Sequence, residues 1–296
     1  MAIATISSTV DRLLASQKPL RTWSLVITFF GDSIVPRGGE VWLGTLTQVM
    51  MGLGIDDQAV RAAVSRLTKD GWLARERLGR NSYYRLLEIG NREFAIATDR
   101  IYGKGAGAFD GSVGVVTGKA AVPASAKQAT GTNSGELLAK LGWGRMAANV
   151  YCAFGRVDLP ETIRKDFIRI DGSIMPGDAT DLIARSWDLK DIEAAYRDFI
   201  AGFEAFRMSM TNPLDPFDAL MARTLLIHSF RRIVLRDPML PDDLMSKTWP
   251  GRPARQLAAS LYRILSPEAE QWLDENAVCS AGKLPALRDD AKQRFV

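Results

Sequence analysis

Cysteine and histidine are almost missing from these 296 residues: Cys152 and Cys279 are the only cysteines and His228 the only histidine. Two cysteines make no disulfide framework and, with a single histidine, no cluster of zinc ligands, so both thiols are expected to be reduced. No stretch approaches the roughly 18 uninterrupted apolar residues that a membrane span needs. The opening MAIATISSTVDRLLASQ lacks the charged start and continuous apolar core of a secretory signal, so a cytoplasmic protein is expected. No serine or cysteine stands in a recognisable elbow or triad motif, and no internal repeat recurs. His228, inside an apolar run, is expected to be a buried hydrogen-bonding residue before it is a catalytic one.

Charge is present but unevenly placed. The formal net charge is only +4, yet residues 61–85 hold Arg61, Arg66, Lys69, Arg75, Arg77, Arg80 and Arg85 against Asp70 and Glu76. Clustering of this kind matters more than net charge for attracting phosphates.

The same segment has helical and then strand periodicity. Leu43, Leu46, Val49 and Met50 share one helix face, Gly52-Leu53-Gly54 reads as a turn, and a second helix runs from about Asp57 to Asp70. Asp56 or Asp57 is the candidate N-cap, and Gly71 the stop. Val60, Ala63, Val64 and Leu67 fall on one side of this second helix. Gln58, Arg61, Ala62, Ser65 and Lys69 fall on the other, with Arg66 at the flank. Arginine and glutamine read base edges in a major groove, while lysine and serine hold phosphates. From Trp72 the period is two, through Leu78 to the polar tip Gly79-Arg80-Asn81-Ser82 and back along Tyr83 to Leu86, which predicts a hairpin. Arg77, Arg80 and Asn81 lie at its tip, and Arg75 and Arg85 on its arms. Helix, turn, basic helix and basic hairpin in this order form a winged helix-turn-helix DNA reader. The plainer alternative is an amphipathic helix with a solvated basic face.

Elsewhere the pattern predicts a leader over 1–18 and a helix from Arg21 to Phe30 with Trp23, Val26, Ile27 and Phe30 on one face. A helix is expected from Glu88 to Tyr102, then linker-like sequence from Gly103 to Gly135. Short strands are expected at Ser112 to Thr117, Ala148 to Phe154 and Asp166 to Ile170, with the end of a helix at Gly135 to Leu141. Helices follow at Asp191 to Arg207, at Phe217 to Leu235 after the candidate cap Asp215, at Ala254 to Leu265, and from Pro267 to near Leu273. Residues 280–296 read as a polar, disordered tail.

The run RTWSLVITFFGD from Arg21, the arginine-rich helix and wing, and Asp99-Arg100-Ile101-Tyr102-Gly103 together resemble the N-terminal domain of the PaaX family, transcriptional repressors of phenylacetic acid degradation. Ile227-His228-Ser229-Phe230-Arg231-Arg232-Ile233, Leu235-Arg236-Asp237-Pro238, Leu240-Pro241 and Trp249-Pro250-Gly251 resemble that family's terminal signature in the same order. The resemblance spans roughly residues 18 to 275. It implies an α+β protein in three parts: a winged helix-turn-helix domain over 19–103, a ferredoxin-like, Cas2-like module for dimerisation and linkage over 104–175, and a helical effector-sensing domain over 176–279, before the 280–296 tail. It also implies a non-enzymatic homodimer that binds double-stranded operator DNA through Gln58, Arg61, Ser65, Arg66, Lys69, Arg75, Arg77, Arg80 and Asn81. No cofactor is implied, but an acyl-CoA effector is, phenylacetyl-CoA in the family. His228, Arg231, Arg232, Arg236 and Trp249 are its candidate contacts, since guanidinium groups match phosphates. For these arginines, with Arg223, Arg252 and Arg255, a merely solvated face is the alternative. Two other functions are weighed: a metal-dependent nuclease of Cas2-like type, and an effector-independent nucleic-acid-binding protein. The nuclease needs grouped carboxylates, but the strand Val113 to Thr117 ends without an aspartate, and Asp110, Asp158 and Asp171 lie elsewhere.

Overall fold

The computed structural model describes residues 6–87, 97–118, 134–155, 157–210 and 213–295. It is an α+β chain with antiparallel sheets. Its contacts gather into two compact units, one made of Met1–Gly103, Arg197–Arg232 and Pro253–Val296, the other of Lys104–Tyr196 and Ile233–Arg252.

In the first unit, α1 (Ser8–Ser16) buries Val10, Leu13 and Leu14. Helix α2 (Thr22–Phe29) buries every residue from Ser24 to Phe29, and the chain then widens into a π turn, Phe30–Ile34. The expected one-sided stripe is corrected here. Trp23 is 42% exposed, and Ser24 to Phe29 are buried all round because this is a core helix, not a surface one. Strand β1 (Glu40–Trp42) leads into α3 (Leu43–Gly52) and α4 (Asp57–Lys69), and β2 (Leu73–Leu78) and β3 (Asn81–Leu86) follow as a hairpin. β1 pairs with β3, giving the antiparallel order β1-β3-β2. This third strand has no signal in the sequence, since three residues are too short to show a period. Of the helix expected over 88–102, residues 97–102 are helical and 88–96 lie outside the described residues.

Long helices complete this unit with parts of α8 (Lys190–Ser209), α9 (Pro216–Val234) and α10 (Gly251–Asn276). Asp215 caps α9, accepting from the Phe217 amide at 2.9 Å. Gly52 ends α3 against α9: a Cβ there would stand 2.6 Å from the Phe217 ring and 2.8 Å from Met221 Sδ, so only glycine permits this approach. The expected break before Pro267 does not occur, and α10 runs through it. Proline removes one backbone donor and crowds the preceding turn. The stripe Leu257, Leu261, Leu265, Ala269, Trp272, Leu273 stays buried on both sides of it and holds the helix together.

The expected disorder of 280–296 is also corrected. A short hairpin of β8 (Val278–Cys279) and β9 (Gly282–Lys283) is followed by α11 (Asp289–Lys292), with Leu284, Ala291 and Arg294 buried. The Val278 amide donates to Thr45 Oγ1, Ser280 to Glu40, and Phe295 to the Tyr102 carbonyl.

The core of this unit is ionic as well as apolar. Asp32, fully buried in the π turn, accepts from Tyr102 Oη at 2.7 Å and Tyr262 Oη at 3.1 Å, and faces Arg223 Nε at 3.1 Å and Arg294 Nη1 at 3.3 Å. Arg223, also fully buried, donates to Glu270 at 2.6 Å and to Ser33 Oγ at 3.2 Å. Glu270 in turn accepts from Arg37 Nε at 2.9 Å, and Arg37 reaches Asp274 at 2.7 Å. Burial alone lowers the Arg223 pKa, but Glu270 and Asp32 outweigh it and the pKa rises; burial and then Asp32 push Tyr262 up to about 12. Asp32, Arg37, Arg223 and Arg294 are desolvated and compensated by their partners, while Asp274 at the end of the chain of pairs is exposed.

In the second unit, β4 (Ser112–Gly118), α5 (Ser134–Lys140), β5 (Gly144–Ala147), β6 (Val150–Phe154), α6 (Glu161–Arg164) and β7 (Phe167–Ser173) form a strand-helix-strand-strand-helix-strand run. Its antiparallel sheet has the order β5-β6-β4-β7. The strand expected at Ala148 to Phe154 is β6, beginning at Val150, and the preceding β5, joined to it by a turn at Asn149 with φ 58°, has no counterpart in the expectation. Val116, Ala153 and Phe167 pack with Leu138, Leu159 and Ile163, so α5 and α6 share one sheet face. On the other, Phe154 packs with Ala179 and Ile183 of α7 (Pro176–Ser186), together with Trp187.

Replacing Asp32 with alanine leaves the buried Arg294 without its carboxylate and Arg223 with Glu270 alone. Chemical denaturation is expected to show a loss of about 3–5 kcal/mol, whereas Arg207→Ala, which breaks an exposed pair with Glu204, is expected to change stability by less than about 1 kcal/mol.

Candidate nucleic-acid interface

The cationic segment folds for local reasons. Asp56 caps α4, its side chain accepting from the Ala59 amide at 2.8 Å, and Gly71 closes it with φ 76° as the Trp72 amide returns to the Leu67 carbonyl at 2.9 Å. Val60, Ala63, Val64 and Leu67 are the buried residues of α4. Gln58, Arg61, Ala62, Ser65, Arg66 and Lys69 are exposed. Helical projection therefore assigns every inward residue correctly, because the interior face of a short amphipathic helix is set by spacing alone.

The hairpin closes where expected. Leu78 pairs with Asn81 across Gly79-Arg80, and Gly79 takes φ 60° as a tight two-residue turn requires. Arg75, Arg77, Arg80, Asn81 and Arg85 are exposed, while Ser82, Tyr83 and Tyr84 are buried. The arginines differ in what holds them. Arg75 Nη2 donates to Ser82 Oγ at 2.9 Å, and Arg77 Nε to the Gly79 carbonyl at 3.2 Å, bracing the hairpin. On α4, Arg66 Nε lies 3.5 Å from Asp70 Oδ2. Arg61 Nε donates to Asp57 Oδ2 at 2.7 Å, and Thr47 Oγ1 on α3 donates to Asp57 Oδ1 at 3.4 Å. Asp57 was not among the sequence candidates beyond its possible capping role; its spacing of four from Arg61 is the signal that points to it.

The carboxylates weighed for a nuclease are engaged otherwise. Asp158 and Asp171 both approach Arg169, at 3.9 and 2.8 Å, and Asp110 accepts from the Ser112 amide and hydroxyl. Among the described residues no three His, Cys, Asp or Glu side chains gather to hold a metal.

The candidate effector residues fall in both units. In the first, His228 is buried and its Nδ1 lies 3.1 Å from Thr28 Oγ1 on α2. Thr28 gives its single hydroxyl proton to the Ser24 carbonyl at 2.8 Å, so His228 donates from Nδ1. Arg231 donates to Thr28 Oγ1 at 2.8 Å and to Ser24 Oγ at 2.8 Å. Burial, and then Arg231 and Arg232, depress the His228 pKa to about 3; burial brings Arg231 down to about 10. Arg232 is exposed. The solvated-face alternative does not hold for Arg223, Arg231 or Arg255: the first two are tied into the core, and Arg255 donates to the Arg100, Ile101 and Gly103 carbonyls at the end of the 97–102 helix. In the second unit, Asp237 accepts from Tyr196 Oη at 2.7 Å and the Met239 amide at 2.8 Å, which fixes the corner between exposed Arg236 and Pro238. Trp249 meets Tyr196 edge-on at 6.1 Å between ring centres.

Residues 21–90 match the family described as PaaX-like protein, and residues 187–275 match the PaaX-like protein C-terminal domain. The transcriptional repressor PaaX of Escherichia coli is 32% identical over 286 residues, covering 94% of this chain and 90% of the relative. The chain belongs to the PaaX family. As a PaaX-family protein it is a regulator rather than an enzyme. An uncharacterised protein of Mycobacterium tuberculosis superposes with a TM-score of 0.52 at 18% identity, over 77% of this chain and 89% of that one, which is a likeness of fold. No helix among the described residues of this PaaX-family chain is long and apolar enough to cross a membrane.

Acid should test the buried histidine. Unfolded His228 takes up a proton below about pH 6.5 and the folded form not until about pH 3, so stability is fully present above 6.5 and falls as the pH drops between these values. Glu270, held below 4.5, adds its own loss only lower down. His228→Gln is therefore expected to flatten the denaturation midpoint between pH 6.5 and 4.5; parallel profiles for parent and variant would refute the assignment.

Proposed function

We propose that this chain is a transcriptional repressor that binds operator DNA through a winged helix-turn-helix, as a homodimer, and is released by an aryl-acetyl-CoA such as phenylacetyl-CoA. The observation that carries the DNA-binding reading is the outward side of α4, where Gln58, Arg61, Ser65, Arg66 and Lys69 are exposed, followed at once by a hairpin with exposed Arg75, Arg77, Arg80, Asn81 and Arg85. In this reading α4 enters the major groove and the hairpin grips the flank. Two copies related by a two-fold axis would span half-sites about one helical turn, roughly 34–36 Å, apart.

The order β5-β6-β4-β7 with α5 and α6 on one face supports a ferredoxin-like module. Its edge strand β7 leaves Ile168 and Ile170 more than half exposed, and an unpaired apolar edge supports the homodimer. Arg232 and Arg236 are exposed, and their guanidinium groups match the phosphates of the effector. His228, Arg231 and Trp249 already have partners in the fold and would act by coupling a ligand to it. Release requires the effector to favour the conformation that binds operator poorly. The protein would act in the cytoplasm, on genes of aromatic catabolism.

Arg61→Ala is expected to cost about 1–3 kcal/mol on operator DNA and relax preference at one base pair, while Arg80→Ala weakens binding to any duplex and lowers the salt slope by about 1. Equal effects of both on operator and scrambled DNA would remove the base-reading role. Fluorescence anisotropy with the chain's own upstream promoter is expected to show binding that phenylacetyl-CoA reverses; persistence of the complex would end the effector claim and leave DNA binding standing.

A further inference from the structure

We infer that Asp57 is a specificity-determining residue: it presents Arg61 end-on, so that α4 demands a guanine at one position of each half-site. This rests on the DNA-binding reading above. The two adjacent aspartates at the start of α4 have separate tasks. Asp56 closes the helix end through the Ala59 amide, so Asp57 is not needed as a cap. Its carboxylate is gripped from two elements, one oxygen by Thr47 on α3 and the other by Arg61 Nε one turn along α4.

An exposed arginine on a helix ordinarily samples many rotamers, and ordering it on binding costs free energy. Here the inner nitrogen is already engaged, which aims the guanidinium plane and leaves the two terminal nitrogens together at its outer end. Among the described residues neither of them is held. Two parallel donors match the O6 and N7 acceptors of guanine in the major groove, and adenine, with a donor at its sixth position, cannot accept both. Three other exposed arginines are set differently: Arg75 and Arg77 spend donors on their own hairpin, and Arg66 stands farther from Asp70 than Arg61 does from Asp57. The carboxylate has a second effect. It places a negative charge beside the DNA surface, which weakens attraction to phosphates in general and penalises sites that do not return the arginine-guanine contact.

The test is in vitro selection from a randomised duplex library by the full-length chain and by Asp57→Ala, Asp57→Asn and Arg61→Ala. The parent is expected to select a palindromic site with a guanine at a fixed position in each half. Both Asp57 variants and Arg61→Ala should lose that guanine while keeping the other selected bases, with discrimination against adenine there falling roughly tenfold or more. Affinity of the Asp57 variants for random duplex should rise. A pair that merely staples the helix would lower the melting temperature and leave the selected sequence unchanged, and that result overturns the inference. A parent that selects no sequence at all overturns the DNA-reading function itself, so the two failures are told apart.

Discussion

Asp32 is the point on which the first unit depends. Its carboxylate is fully buried, and the groups that compensate it come from residues 102, 223, 262 and 294, which are scattered over almost the whole chain. Removing a carboxylate from water costs several kcal/mol unless charges and hydroxyls replace the lost solvation. The chain meets that cost only when the long helices and the extreme C-terminus are in place together. The cluster therefore couples the packing of the three separate stretches of sequence from which this unit is drawn.

The cationic segment gains from such a base. Helices α3 and α4 pack on α2, whose residues Ser24 to Phe29 are buried, and α3 meets α9 at Gly52, where a Cβ would crowd the Phe217 and Met221 side chains. With the scaffold fixed, the orientation of individual exposed side chains becomes worth controlling. Asp57, Ser82 and the Gly79 carbonyl each take a donor from an arginine at the surface. Exposed pairs of this kind add little stability, so their value lies in restricting where cations point.

The residues on which the sequence resemblance rests gain physical meaning from their partners. His228 and Arg231 both converge on Thr28 and so tie α9 to α2, while Asp237 builds a corner with Tyr196. A neutral histidine and a desolvated arginine stand one turn apart on α9, and burial is the largest cause of the lowered pKa of each. Of the run from Ile227 to Asp237, His228, Phe230, Ile233 and Asp237 are buried and Arg232 and Arg236 are exposed.

The sequence by itself determined what depends on neighbours a few residues apart: the two short helices with their turn, the buried face of α4, the Gly71 stop, the hairpin and its tip, and the strands at 112 and 150. Helical and strand periodicity, caps and turn residues act through contacts the chain makes with itself locally, so spacing alone records them. Only tertiary structure decided that α2 is buried all round, that α10 continues through Pro267, that the polar end of the chain packs against the Asp32 cluster, and that Arg223 and Arg255 face inward. In each of these the outcome is set by a partner distant in sequence. A charged or proline residue read on its own favours solvent or a break, and it is the buried partner that reverses the preference.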